Sequence, residues 1–175
     1  EFHNAKVDIL VENGTITRIA ENIQHEAEEI VELENLHVSQ GWFDPSVSFG
    51  EPGYEERETI AHGLQVAAKS GFTNVVLNPL TNPVIDTSSL VEAVLNKAKN
   101  QATTMLISGA LTKHSDGIDL AELYDMHQHG AVTFGDYKSA IANPNLLKIA
   151  LQYAQNFEGL VQSYPQDNSI AGKGS

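Results

Sequence analysis

After Gly41 the sequence repeats one pattern, an apolar run followed by an amphipathic stretch, and that alternation restricts the fold more than any other feature. An apolar run near Phe43 to Phe49 precedes a helical stretch from about Glu56 to Ser70, closed by Gly71. Thr73 to Leu77 is the next strand. A helix at about Leu90 to Asn100 follows, with Ser89 and Glu92 spaced as a capping box and Leu90, Val91, Val94, Leu95 and Ala98 on one face. Thr104 to Ser108 is the third strand. Asp119 and Glu122 then fit a helix start, Leu120, Leu123 and Met126 form its apolar stripe, and Gly130 is its expected C-cap. Ala131 to Phe134 is the fourth strand, Asn143-Pro144 opens a helix through about Asn156, and Gly159 to Ser163 is the fifth strand. Five strand-helix units in order predict a parallel α/β sheet.

Periodicity leaves two architectures open, a doubly wound sheet and part of an eight-stranded barrel. Pro45 to Gly53 contains neither G-x-G-x-x-G nor a Walker pattern, which argues against a nucleotide-binding sheet. A barrel needs about 250 residues, and this one would stop after five strands with two open edges, so the 175 residues are expected to belong to a longer polypeptide.

Residues 1–40 follow a different pattern and are read as part of a small β subdomain, with 41–175 as the N-terminal portion of the larger domain. Val7, Ile9 and Val11 alternate with polar residues and Ile16 and Ile19 follow Asn13-Gly14, so residues 6–20 predict a hairpin. The same Asn-Gly-Thr matches a glycosylation sequon, but Asn-Gly between alternating runs is a tight-turn signal first. Ile30 to Leu33 is expected to be a third short strand.

The formal charge is -13, from 23 acidic and 10 basic residues, and no cluster of Lys or Arg offers a surface for phosphates, so nucleic acid and anionic membranes are not expected partners. No apolar run approaches the roughly 20 residues of a membrane span, and a cytoplasmic location is expected. The absence of cysteine leaves His and carboxylates as the only metal ligands available.

Several segments, in order along the chain, carry a resemblance: Val7 to Gly14, Glu51-Pro52-Gly53 with Glu58-Thr59-Ile60, Gly71-Phe72-Thr73, Thr81 to Asp86, Gly109 to Lys113, Gly130 to Phe134 and Ser169 to Gly172. Together they resemble the dihydroorotase and allantoinase branch of the amidohydrolases. The resemblance implies a partial (β/α)8 TIM barrel with a β-rich side domain, and an active site at the C-terminal ends of the strands. In that family the first barrel strand runs F-I-D-x-H-x-H, then x-R-E-P-G, and its histidines hold a catalytic zinc. Here the histidine positions are Ser46 and Ser48, expected on one face of a strand, and a neutral hydroxyl is a poor zinc ligand beside imidazole.

By the same resemblance the substrate-binding Arg falls on Gly50, the substrate-binding Asn on Leu80, and the fifth-strand His on Tyr164, with Ser163 adjacent. The metal-bridging Asp falls on Asp136, which is either a retained ligand or, the favoured reading, a strand-end residue capping the following turn. His127 and His129 are i and i+2 at a helix end and do not share a face, while His62 and His114 stand alone, and none is assigned a role.

The resemblance implies pyrimidine biosynthesis, and three functions stay open. One is a pseudoenzyme acting as a scaffold or regulatory partner, self-associating and, by family analogy, partnering aspartate transcarbamoylase, with no cofactor expected from this chain. A second is an active cyclic amidohydrolase whose rebuilt site holds zinc through Asp136, later histidines and a carboxylated lysine. The third is a small-molecule sensor in which Ser46, Ser48 and Tyr164 donate hydrogen bonds at the barrel mouth.

Overall fold

The computed structural model describes residues 2–171, so Gly172, the last residue of the Ser169 to Gly172 match, lies outside the described residues. The chain divides into two compact units, Glu1–Ser39 and Gln40–Ser175. In the first, β1 (Asp8–Glu12) and β2 (Thr15–Ala20) form the expected antiparallel hairpin. Asn13 (φ 51°) and Gly14 (φ 75°) both take the left-handed conformation that a two-residue hairpin turn requires, which makes the turn reading of this dipeptide the structural one. The third strand expected at Ile30 to Leu33 is not formed. No described strand lies beside it to pair with its backbone, and Ile30, Val31 and Leu33 are exposed.

The second unit carries five parallel strands: β3 (Trp42–Val47), β4 (Phe72–Leu77), β5 (Thr104–Gly109), β6 (Ala131–Phe134) and β7 (Leu160–Val161). Their spatial order, β3-β4-β5-β6-β7, is their order in the chain. A doubly wound sheet must reverse direction at a switch point, whereas a barrel adds each strand on the same side of the last. The sequential order therefore resolves the alternative in favour of a partial barrel.

Four helices connect the strands: α1 (Ile60–Lys69), α2 (Ser88–Lys97), α3 (Leu123–Gln128) and α4 (Pro144–Ala154), and a short α5 (Asn168–Ala171) follows β7. Their periodic apolar positions supply the core, in which Ile60, Leu64, Val91, Val94, Leu123, Met126 and Ala150 pack against Val75, Leu77, Met105, Ile107 and Phe134. Each such large side chain contributes about 1.5–3 kcal/mol through burial. Asn143 caps α4 as expected, its Oδ1 accepting the amides of Asn145 (3.0 Å) and Leu146 (3.4 Å), with Pro144 in the first turn.

The other helix starts differ from expectation. α1 begins at Ile60 because residues 51–58 form a loop, and Thr59 Oγ1 accepts the His62 amide. The capping box at Ser89 and Glu92 is absent, since Thr87 occupies the N-cap position of α2. Asp119 opens no helix. Residues 119–121 are held extended, where Asp119 O accepts the Lys113 amide and the Ala121 amide donates to Leu111 O. No described helix is long and apolar enough to cross a membrane.

Candidate functional site at the C-terminal ends of the strands

The strand ends carry the positions singled out by the sequence, but among the described residues no His or carboxylate cluster forms there. β3 is irregular where the two serines fall, its pairing with β4 shifting register between Asp44 and Val47. Asp44 Oδ1 accepts the Ser46 amide at 3.0 Å within this irregular stretch. Ser48 lies just past the end of β3, so the simple two-residue strand spacing expected for the pair is not realised. Both serines are exposed.

Gly50 is enclosed by backbone. Its amide donates to Glu58 O (2.9 Å), and its own carbonyl accepts the Tyr54 amide (2.8 Å). A Cβ added at Gly50 would stand 1.9 Å from Tyr54 O and 3.0 Å from Glu58 O. The loop has closed over the place from which a side chain would leave, so this position has no room for a longer side chain. Glu51 completes the closure: its Oε2 accepts the Ile60 amide (2.9 Å) at the start of α1, and its Oε1 accepts from Lys97 of α2. The neighbouring loop packs onto this one, with the Asn82 amide donating to Pro52 O at 2.9 Å.

Asp136 follows β6 and is 3% exposed. Its Oδ1 accepts the amides of Leu111 (2.9 Å) and Thr112 (3.0 Å), and its Oδ2 accepts the Thr112 hydroxyl. Thr112 Oγ1 in turn accepts the Gly117 amide at 2.9 Å. The carboxylate therefore does cap a loop, but the loop after β5 rather than the turn that follows it. The following turn is closed by the Asp136 backbone carbonyl, which accepts the Ser139 amide. Asp86 does the same work beside it, with Oδ2 accepting the His114 amide at 2.9 Å.

Leu80 is half-buried and its amide donates to Asn78 Oδ1 (3.3 Å), while Tyr164 lies beyond the end of β7 and is 38% exposed. Zinc needs about three or four nitrogen, sulfur or carboxylate donors converging within about 2.0–2.3 Å. The residues here do not fit it: Ser46 and Ser48 offer exposed neutral hydroxyls, and the Asp136 carboxylate already accepts three hydrogen bonds. Among the described residues no group of three His, Asp or Glu side chains is placed to hold a metal ion.

The histidines set aside by the sequence stay apart. The His127 ring packs tilted against Phe157 (centroids 5.1 Å, 39° between planes), whereas His129 Nδ1 donates to Asp125 O (2.7 Å) at the end of α3. His62 pairs with Glu58 on the surface.

Two buried polar residues at the strand ends escaped the sequence reading. Asn78 fastens β4 to β3, donating to Val47 O from both its amide (3.0 Å) and its Nδ2 (2.8 Å). Ser108, near the end of β5, has a buried hydroxyl with no hydrogen-bond partner among the described residues. The available signal is a polar residue ending a buried apolar run, as in Val75-Val76-Leu77-Asn78.

Comparison with known proteins agrees with this geometry at the level of fold and family. Residues 22–175 match the family model described as Dihydro-orotase-like. The dihydroorotase of Ruminiclostridium cellulolyticum is 35% identical over 168 residues, covering 95% of this chain and 39% of that protein. The dihydroorotase of Syntrophus aciditrophicus is 33% identical over 174 residues, covering 98% of this chain and 41% of its own length. The chain thus spans about two fifths of the curated relatives it matches. Among solved structures, the L-hydantoinase (dihydropyrimidinase) of Arthrobacter aurescens superposes with a TM-score of 0.72 at 21% identity, covering 89% of this chain and 36% of that one, which shows a shared fold. Strand order, motif order and the family match agree: this chain belongs to the dihydroorotase-like family.

Proposed function

We propose that this chain is part of a dihydroorotase-like protein that has given up zinc-dependent hydrolysis and acts as a non-catalytic scaffold or regulatory partner in pyrimidine biosynthesis. One observation carries the reading. The positions from which the family would recruit metal and substrate have been converted together, to Ser46 and Ser48, to a Gly50 enclosed by backbone, and to an Asp136 engaged by three hydrogen bonds. A hydrolytic site of this class must lower the pKa of water toward about 7 on a metal held by about three protein ligands, and no such donor set exists among the described residues. Aspartate transcarbamoylase is the partner that family analogy supplies.

The competing reading, an active cyclic amidohydrolase with a rebuilt site, draws its support from Asp136 alone, which keeps its place at the end of β6. Hydrolysis of dihydroorotate by the purified full-length protein, with and without added zinc, separates the two. The scaffold reading expects no turnover above buffer in either case, and zinc-stimulated turnover at ordinary enzyme rates sinks it.

A further inference from the structure

The turn between β1 and β2 is made of the one Asn-Gly pair in the chain. Glu12 pairs with Thr15, so the loop holds only two residues and both take positive φ, which Gly14 (75°) adopts freely and Asn13 (51°) tolerates better than most side chains. The same requirement sets side by side two residues whose reaction with each other is little hindered. The Asn13 carboxamide offers an electrophilic carbon, and the next amide nitrogen can close a five-membered ring on it when no Cβ stands in the way.

The surroundings leave that reaction open. Asn13 and Gly14 are exposed, and a Cβ built on Gly14 would find nothing within 4 Å. Among the described residues neither the Asn13 side chain nor the Gly14 amide has a hydrogen-bond partner. Asp116-Gly117, the one Asp-Gly pair, supplies the contrast. Gly117 is as free of neighbours and has a similar φ (73°), but its amide donates to Thr112 Oγ1 at 2.9 Å, and that hydroxyl is itself bound to Asp136. The nitrogen is free at the first site and tied at the second. Asn13 must also rotate out of its turn conformation to bring Cγ to the Gly14 nitrogen, and a largely exposed two-stranded ribbon opens more readily than a packed core.

We propose that Asn13 is a site of spontaneous deamidation through a succinimide. The Gly14 nitrogen, its proton taken by hydroxide, attacks Asn13 Cγ; the N–Cγ bond forms, the Cγ–Nδ2 bond breaks and ammonia leaves. Water then opens the ring. Cleavage at Cγ gives aspartate, and cleavage at the main-chain carbonyl carbon gives isoaspartate, whose backbone runs through Cβ and Cγ. Either product places a new carboxylate beside Glu12, and isoaspartate lengthens the main chain of a two-residue turn, which can no longer hold the Glu12 to Thr15 register.

Prolonged incubation of the full-length protein at mildly alkaline pH, in water enriched in the heavy oxygen isotope, tests this after tryptic mass mapping in ordinary water. Cleavage after Lys6 and Arg18 isolates residues 7–18, in which Asn13 is the sole asparagine. Heavy oxygen should enter at Asn13, chiefly as isoaspartate, at a rate within roughly tenfold of that in the isolated 7–18 peptide. Asp116 should take up label only in protein unfolded by urea. Amide protection across β1 and β2 should fall in the aged protein and persist in aged Asn13→Gly, whose Gly-Gly pair still fits the turn. An Asn13 that stays intact while the free peptide converts, aspartate formed without isoaspartate, label entering Asp116 of the folded protein as fast as Asn13, or equal loss of protection in the variant would each overturn the proposal.

Discussion

Gly50→Ala probes the closed loop around Gly50, because it adds one methyl group and no charge. The new Cβ would meet Tyr54 O at 1.9 Å and Tyr54 C at 2.8 Å, both backbone atoms, so no rotamer change relieves the overlap. The loop must open, and opening strains the Gly50 to Glu58 and Tyr54 to Gly50 hydrogen bonds, each worth about 1 kcal/mol net. It also draws Glu51 away from the Ile60 amide at the start of α1, a cap-like contact of about 1 kcal/mol. The expected loss is about 2–3 kcal/mol, within the range for overpacked sites. Urea denaturation of the full-length protein, followed through the fluorescence of Trp42 at the start of β3, reads it directly. Gly50→Arg should be destabilised at least as much and should gain no affinity for dihydroorotate. An alanine variant within about 0.5 kcal/mol of wild type, or an arginine variant that folds normally and binds the substrate, would refute the reasoning.

Asp136 and His129 give two further expectations. Asp136→Ala orphans two buried amides and the Thr112 hydroxyl, at about 1–3 kcal/mol for each group left unsatisfied, and should lower stability by about 3 kcal/mol or more with no change in metal content. Asp136→Asn, which keeps one carbonyl acceptor for the two amides, should cost clearly less, and equal losses for the two variants would contradict the assigned contacts. The His129 pKa is raised, chiefly by the hydrogen bond to the Asp125 carbonyl and then by the Asp125 and Glu92 carboxylates. A raised folded-state pKa makes its stabilisation complete below the unfolded value near 6.5 and lost as pH rises through the higher folded value. His129→Gln should therefore erase a small stability advantage of pH 6 over pH 8. A variant with the wild-type pH dependence would show that the histidine contributes none of it.

The strand-helix alternation was legible wherever a physical signal is local, whereas the barrel itself followed only from the family resemblance. Alternating apolar runs located all five parallel strands, and Asn143-Pro144 marked the start of α4 because a cap and a first-turn proline act within one turn. Helix starts failed where distant groups compete. Glu51 and the loop around Gly50 claim residues 51–58 before α1 begins, and pairing of 119–121 with the loop after β5 displaces the helix start expected at Asp119. Ile30 to Leu33 failed for the opposite reason: its strand pattern is sound, but no described neighbour pairs with it.

The site divides in the same way. That Ser46 and Ser48 cannot replace imidazole follows from side-chain chemistry alone. That Asp136 is consumed by amides 24 and 25 residues earlier in the chain, and that Gly50 has no space beside it, are facts of the folded loops, which no local pattern encodes. Asn78 and Ser108 were missed because a single polar residue at a strand end carries no spacing to read.

In the proposed function the family's metal site is dismantled and not merely altered. Elemental analysis of the full-length protein, purified without chelators and then dialysed against excess zinc, tests this most directly. Zinc far below one atom per chain is expected, with the same content in Asp136→Ala as in wild type. One tightly held zinc per chain, lost on substitution of Asp136, would contradict it.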